Sequence, residues 1–183
     1  MKNEKKEMPA KFVRECLDYD PDTGILTWRW RPDSHFTSKA SALRANARFA
    51  GNIAGSDAGS GYSAVSISGS RMYSHRLAWI ITFGDLSVDL EIDHISGRRG
   101  DNRLVNLRAV SRSENHKNTK KPRTNSSGRI GVSWHKAFQK WRVDIKVDGK
   151  SKSLGVFQDF EDAVLARKSA ETELGFHPNH GRS

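Results

Sequence analysis

A single cysteine, Cys16, in 183 residues excludes an internal disulfide and a structural zinc site of the cysteine-rich kind. Long apolar runs are missing as well. No stretch approaches the roughly 18 residues that would cross a bilayer, and the opening MKNEKKEMPA has no apolar core, so neither a membrane helix nor a signal peptide is expected. Acidic residues are in deficit, 21 Asp and Glu against 31 Lys and Arg, for a net charge of +10. The imbalance is local: over residues 112–152 twelve lysines and arginines face only Glu114, Asp144 and Asp148. A membrane surface would call for a basic amphipathic helix with a broad apolar face, whereas this stretch reads as strands and linker. A polyanion of the nucleic-acid kind is therefore the expected partner, and the cytoplasm the expected place.

Along the chain, residues 8–18 place Phe12, Val13, Cys16 and Leu17 on one stripe behind Pro9, which suits a first helical turn, and predict a short helix. Asp20-Pro21-Asp22-Thr23-Gly24 is turn chemistry, and residues 25–30 have the side chains of a strand. Residues 31–50 are polar and small, and irregular structure is expected there. Residues 62–67 alternate as a strand, Ser68-Gly69-Ser70 turns it, and residues 71–73 return as its partner. Ser74 is the expected cap of a helix carrying Leu77, Trp79, Ile80, Ile81 and Phe83, stopped by Gly84 in a left-handed conformation. Strands near 90–95 and 106–110 flank a loop at 96–103. Ser111-Arg112-Ser113-Glu114 then has the spacing of a capping box, so Asn115 and His116 fall on the first turns of a new helix.

Residues 117–128 lack apolar side chains and contain Pro122 and Gly128, the composition of a linker. Three strands follow at 129–141, 141–147 and 150–157, the last two joined by Asp148-Gly149, a favoured two-residue hairpin turn. Asp159 is the expected cap of a closing helix with Phe160, Ala163, Ala166, Ala170 and Leu174 at helical spacing, ended by Gly175.

The stretch EIDHISGRRGDNRLVNLRAVSRSENHKN carries the chemistry. Asp93 and Asn115 both offer hard oxygen donors of the kind Mg2+ and Mn2+ prefer. A returning strand followed by a helix can lay the first helical turn against the first strand, so the two residues can share one divalent ion and leave positions for water and phosphate. His94 follows Asp93 directly and on a regular strand points to the opposite face, so a bulge or the strand's end must relax the alternation. An imidazole beside the ion can then take a proton from water at neutral pH. Arg98 and Arg99 on the loop face either phosphates or solvent, and His75 reads as a packing residue.

The ordered set HRLAW, IDHISG, NRLVNLR and SEN, spanning about residues 73–118, resembles the HNH endonuclease family, specifically its phage and intron-encoded homing type with a ββα-metal (His-Me finger) site. The resemblance implies Asp93 as metal ligand, His94 as general base, Asn106 as the catalytic-loop residue whose amide ties the loop to the backbone, and Asn115 as second metal ligand. Many HNH proteins end the motif in histidine. Here Asn115 is followed by His116, and the last ligand is one of these two, with Asn115 preferred. One divalent metal ion, Mg2+ or Mn2+, is the implied cofactor, and hydrolysis leaving 5′-phosphate and 3′-hydroxyl ends is the implied reaction. LDYDPDTGILTW and GYSAVSISGSRMYSHRLAW resemble the upstream parts of phage HNH proteins.

In Trp141-Arg142-Val143-Asp144-Ile145-Lys146 apolar and polar residues alternate, so one face of the sheet can pack on the last helix while the other turns charge outward. Arg142 and Lys146, joined by Trp134, His135 and Lys136, are candidates for contact with DNA in a major groove, which admits a sheet as well as a helix. Lys117, Lys120, Lys121 and Arg123 are expected along the phosphate backbone, with Arg129 and Ser133 completing the candidate DNA-binding set. GVSW, KW, the SLGVF strand and the alanine-rich last helix, over about residues 128–175, resemble the AP2 DNA-binding domain. That resemblance points to Ile130, Ser133, His135, Arg142, Asp144, Lys146 and Ser153 as groove-facing.

The expected fold class is α+β: a ββα-metal (His-Me finger) nuclease domain followed by a small three-stranded antiparallel sheet packed on one helix. Its expected parts are an N-terminal α/β extension (1–72), an HNH nuclease core (73–118), a basic linker (119–128), an AP2-like domain (129–176) and a tail (177–183). The expected function is that of a metal-dependent endonuclease acting on double-stranded DNA, homing-type, nicking as a monomer or cutting both strands as a dimer, without membrane association, in the cytoplasm of a phage-infected bacterium. The rival is a catalytically silent DNA-binding regulator that uses the AP2-like sheet.

Overall fold

The computed structural model describes residues 8–182, and the chain divides into two compact units, Met1–Ala109 and Val110–Ser183. No helix among the described residues is long and apolar enough to cross a membrane. The first unit opens with α1 (Ala10–Cys16), which runs directly into β1 (Leu17–Tyr19). The Asp20–Gly24 turn returns the chain as β2 (Leu26–Trp28), antiparallel to β1 with Leu17 opposite Trp28. The helix expected over residues 8–18 is thus shorter at its C-terminal end, because Leu17 pairs into a strand rather than continuing the helical stripe.

Residues 31–50, expected to be irregular, contain an eleven-residue helix instead, α2 (Lys39–Phe49). Its start is a reciprocal capping box between Ser38 and Ser41, and its body is rich in alanine, the best helix former. What it lacks is an apolar stripe. Only Ala42 and Asn46 are buried, and the Asn46 amide clasps the backbone of Arg31, accepting from its N–H at 3.0 Å and donating to its carbonyl at 2.8 Å.

β3 (Ser56–Gly59), β4 (Tyr62–Ile67) and β5 (Ser70–Tyr73) form an antiparallel meander with β4 central. The β4–β5 pair matches the expected hairpin, whereas β3 is too short and polar to announce itself in the sequence. α3 (Ser74–Phe83) follows without a break. The expected cap is not made: Tyr73 occupies the N-cap position, and Ser74 Oγ is buried without a hydrogen-bond partner. Gly84 does end the helix, with φ 95°. Leu77 and Ile80 of α3 are fully buried against Val13, Cys16, Leu17, Leu26, Val65 and Ile67, which makes one core out of α1, the first hairpin, the meander and α3. Each such aliphatic side chain removed from water stabilises the fold by about 1.5–3 kcal/mol.

The other side of α3 contributes Ala78 to a second cluster with Leu86, Ile92 and Leu107. Ile92 lies on β6 (Leu90–His94) and Leu107 on β7 (Leu107–Ser111), which form a two-stranded sheet. The unit boundary falls within β7.

In the second unit, α4 (Arg112–His116) starts at the expected capping box: Ser111 Oγ accepts from the Glu114 N–H, and Glu114 Oε2 accepts from the Ser111 N–H at 2.9 Å. β8 (Val132–His135), β9 (Lys140–Val147) and β10 (Lys150–Phe157) form an antiparallel meander covered by α5 (Phe160–Glu173), with Val132, Val143 and Ala163 at the centre of the core. Asp148 and Gly149 both have positive φ, as the tight hairpin requires. Asp159 stands at the N-cap of α5 but makes no side-chain cap bond. Past the helix, Gly175 adopts φ 66° and the Phe176 N–H reaches back to the Glu171 carbonyl at 2.8 Å, a Schellman-type ending. The segment after α4 contains no regular element and is strapped to the chain beyond α5. The His177 N–H donates to the Lys117 carbonyl at 3.1 Å, Gly181 to Thr119 at 2.9 Å, and Lys121 to Arg182 at 2.9 Å.

Candidate active site

β6 ends at His94, and the loop that follows is shaped by one side chain. Asn106 Oδ1 accepts from the Ser96 N–H at 2.9 Å while its Nδ2 donates to the Asp101 carbonyl at 2.7 Å, and its own backbone carbonyl accepts from Ile95 at 2.8 Å. The buried Asn106 therefore ties both limbs of the 95–106 loop to the start of β7. Asp101 and Arg103 add a bidentate ion pair at the loop's outer edge.

His94 is 3 % exposed. Its Nε2 stands 3.1 Å from Asn102 Oδ1, and the Asn102 Nδ2 reaches Ser63 Oγ on β4 at 3.3 Å. By sequence Asn102 is simply one residue of the 96–103 loop. Nothing in its local spacing signals a contact with His94, which arises because the loop folds back eight residues later. The imidazole also meets the rings of His75, edge-on at 4.9 Å, and Tyr62 at 6.0 Å, and the Arg99 guanidinium lies over Tyr62 at 4.8 Å. His75 packs in this ring cluster, stacked on Tyr73 at 5.5 Å.

Burial pulls the His94 imidazole below its ordinary 6.5, against the opposing influence of the Asn102 hydrogen bond and the Asp93 and Asp101 carboxylates, so it is neutral at pH 7 and able to accept a proton. For His75, desolvation first and the neighbouring His94 second lower the value to about 3. A histidine held neutral in the fold binds a proton more readily in the unfolded chain. The stability it confers is thus present above its unfolded value of 6.5 and is lost as the pH falls from there toward 3. Urea midpoints are expected to drop on acidification from pH 7 to 4, and to drop less in a His75→Phe variant.

Asp93 precedes His94 on β6 and is largely buried. Its Oδ2 accepts from Arg108 Nε at 3.0 Å and Nη2 at 2.9 Å. A carboxylate has two oxygens and about four lone-pair sites, so a divalent ion held by Asp93 would share that carboxylate with a guanidinium. Among the described residues no three His, Cys, Asp or Glu side chains gather as a metal-ligand cluster. The donor on hand at this loop is the Asp93 carboxylate, a hard ligand that suits an ion keeping most of its own waters. Asn115, the other expected ligand, lies on α4 in the second unit, with His116 at that helix's end. The structure thus gathers Asp93, His94 and Asn106 around one loop.

The basic residues of the second unit separate into inward and outward sets. Arg142 pairs across the sheet with Ser133 and with Val156, and Lys146 with Ser151, so these residues share the face opposite the helix. Arg142 and Lys146 are exposed, and Arg142 is held by Asp144 on its own strand at 2.8 Å. His135 shares this face and stacks on Phe138 at 4.5 Å, while Lys136, Lys120 and Arg123 are exposed and Ser133 stands beside Arg142. Three residues do not join them. Trp134 pairs with Trp141, their rings 5.1 Å apart, on the side where Trp141 meets Phe160 of α5, because the antiparallel register puts 134 and 141 on one face. Arg129 is engaged by Glu171 of α5, and Lys117 Nζ donates to the Leu174 carbonyl at 2.7 Å. These two cations serve the unit's own packing.

Residues 72–117 match the HNH endonuclease family. The chain is similar to Protein 3.8 of Escherichia phage T7, with 37% identity over 76 residues that make up 42% of this chain and 63% of that relative. It therefore spans a little under two thirds of the relative's length. No solved structure matches the chain.

Proposed function

We propose that the protein is an endonuclease that hydrolyses DNA phosphodiester bonds at the β6–β7 loop, with the basic sheet of the second unit supplying affinity for the duplex. The reading is carried by one observation: within the segment that matches HNH endonucleases, a buried His94 follows Asp93 at the end of β6, where Asn106 closes the loop that comes next. In it, His94 accepts the proton of the attacking water, and Asn106 keeps the loop in the shape that presents it. Asp93 is assigned as a ligand of one divalent ion, Mg2+ or Mn2+. Asn115 is assigned as the second ligand on motif order alone. Such an ion, when bound, would neutralise charge on the phosphate undergoing displacement. Supercoiled plasmid incubated with Mg2+ or Mn2+ is expected to pass to the open-circular form and to stay supercoiled in EDTA. Retention of the plasmid without nicking in either condition would favour the DNA-binding regulator.

The three-stranded sheet backed by one helix supports an AP2-like mode of docking, with Arg142, Lys146, His135 and Lys136 toward the duplex and Lys120, Lys121 and Arg123 along the phosphates. Each phosphate neutralised by a cation contributes about −0.9 to the slope of log affinity against log salt. Lys146→Ala is accordingly expected to make that slope shallower by about 1. Arg142→Ala should change it less, because Asp144 already offsets part of that charge. Fluorescence anisotropy of a labelled duplex over a salt series measures both.

A further inference from the structure

A general base works only if the nitrogen facing its water carries a lone pair, and the partner of the other nitrogen decides which one that is. His94 Nε2 is 3.1 Å from Asn102 Oδ1, a contact between two buried side chains. An amide oxygen accepts and does not donate, so this contact places the hydrogen on Nε2 and leaves Nδ1 as the basic nitrogen. The other end of the amide donates to Ser63 Oγ at 3.3 Å, so both ends are satisfied in this orientation. The backbone of Asn102 is gripped as well. The Tyr19 hydroxyl donates to the Asn102 carbonyl at 2.7 Å, and two residues on the Leu104 N–H donates to the Pro21 carbonyl at 3.0 Å. Tyr19, Pro21 and Ser63 all precede the segment that matches the family.

We infer that Asn102 is a positioning residue that holds His94 in the tautomer with hydrogen on Nε2, and that Tyr19 and Ser63 of the preceding chain hold Asn102 in place. The inference rests on the nuclease reading for its catalytic consequence, and on hydrogen-bond geometry alone for the tautomer. It gives the first 72 residues a share in the chemistry, because the base's partner is anchored to β1, the turn after it, and β4.

The test combines nuclear magnetic resonance with kinetics on the full chain. In metal-free 15N-labelled protein near neutral pH, with His94→Ala to assign the ring, His94 is expected to show a protonated Nε2 shielded from solvent exchange and an unprotonated Nδ1. Asn102→Ala should lose that protected signal and lower kcat by about 10-fold or more, with KM changed by less than about 3-fold. Asn102→Asp keeps an acceptor oxygen at the same place and is expected to retain the signal and recover most of kcat. Ser63→Ala, a milder change that leaves the amide present, should fall between. Melting curves establish that each variant is folded. A proton on Nδ1 in the wild-type protein, or a folded Asn102→Ala variant that cuts at the wild-type rate, would overturn the inference while leaving the nuclease reading intact. A wild-type chain that binds plasmid but never nicks it would sink the nuclease reading, and the catalytic role of Asn102 with it.

Discussion

His94→Ala is expected to slow metal-dependent nicking by at least about 100-fold while duplex affinity stays within about 2-fold, since general acid–base catalysis contributes about 10²–10⁴-fold. The expectation follows from what surrounds the ring. His94 is buried, burial holds its imidazole below the ordinary pKa, it follows Asp93 on β6, and the Asn106-tied loop begins directly after it. The binding surface, by contrast, is proposed on the other unit, where the substitution changes nothing. Rate and affinity are thus predicted to separate, and measuring initial nicking rates beside anisotropy titrations shows whether they do. A variant that nicks within a few-fold of wild type would remove His94 from the chemistry. Since the substitution also leaves a space beside Tyr62 and His75, the rate is to be compared at a temperature well below the variant's melting point.

Gly24→Ala is expected to destabilise the first unit by about 3 kcal/mol, lowering its melting temperature by about 10 °C or more. Gly24 closes the Asp20–Gly24 turn with φ 77°, and a Cβ there would lie 2.6 Å from the Arg103 nitrogen and from the Asn102 carbonyl carbon. Both are backbone atoms, so neither can swing aside. The added methyl would have to push the turn off the loop that carries Asn102, and the nicking rate should fall along with stability. Gly69→Ala provides the contrast. Its φ is 80°, yet a Cβ there meets nothing within 4 Å, so only the backbone preference is lost, about 1 kcal/mol. Equal melting temperatures for the two variants would refute the proposed docking of the turn on the loop.

Local chemistry was legible in the sequence wherever a feature is settled within a few residues. The Ser111–Glu114 capping box, the Asp148-Gly149 hairpin and the β4–β5 return all form from neighbours, and the structure contains each. Features decided by distant partners were not. α2 shows no apolar stripe because its stability comes from a cap, alanine propensity and a buried Asn46, so a search for periodicity passes over it. Ser74 looks like a cap, but β5 runs straight into the helix and Tyr73 takes that position. By sequence Trp134 reads with the basic face, because alternation within one strand leaves undetermined which residue of the next strand stands opposite; pairing with Trp141 decides it. At the candidate site, Asp93, His94 and Asn106 stand out by order and residue type, whereas Asn102 does not. Its partners Ser63 and Tyr19 lie 39 and 83 residues away.

The strap that joins residues 117–121 to 177–182 bears on thermodynamic cost as well as on shape. A cation on a slack tether surrenders backbone freedom when it meets an anion, on the order of 1–2 kcal/mol for each residue that becomes ordered. Lys120 and Lys121 ride on peptide groups that are already immobilised by hydrogen bonds from Gly181 and to Arg182. That entropy is given up when the unit folds, so a phosphate arriving there has only the side chains left to still.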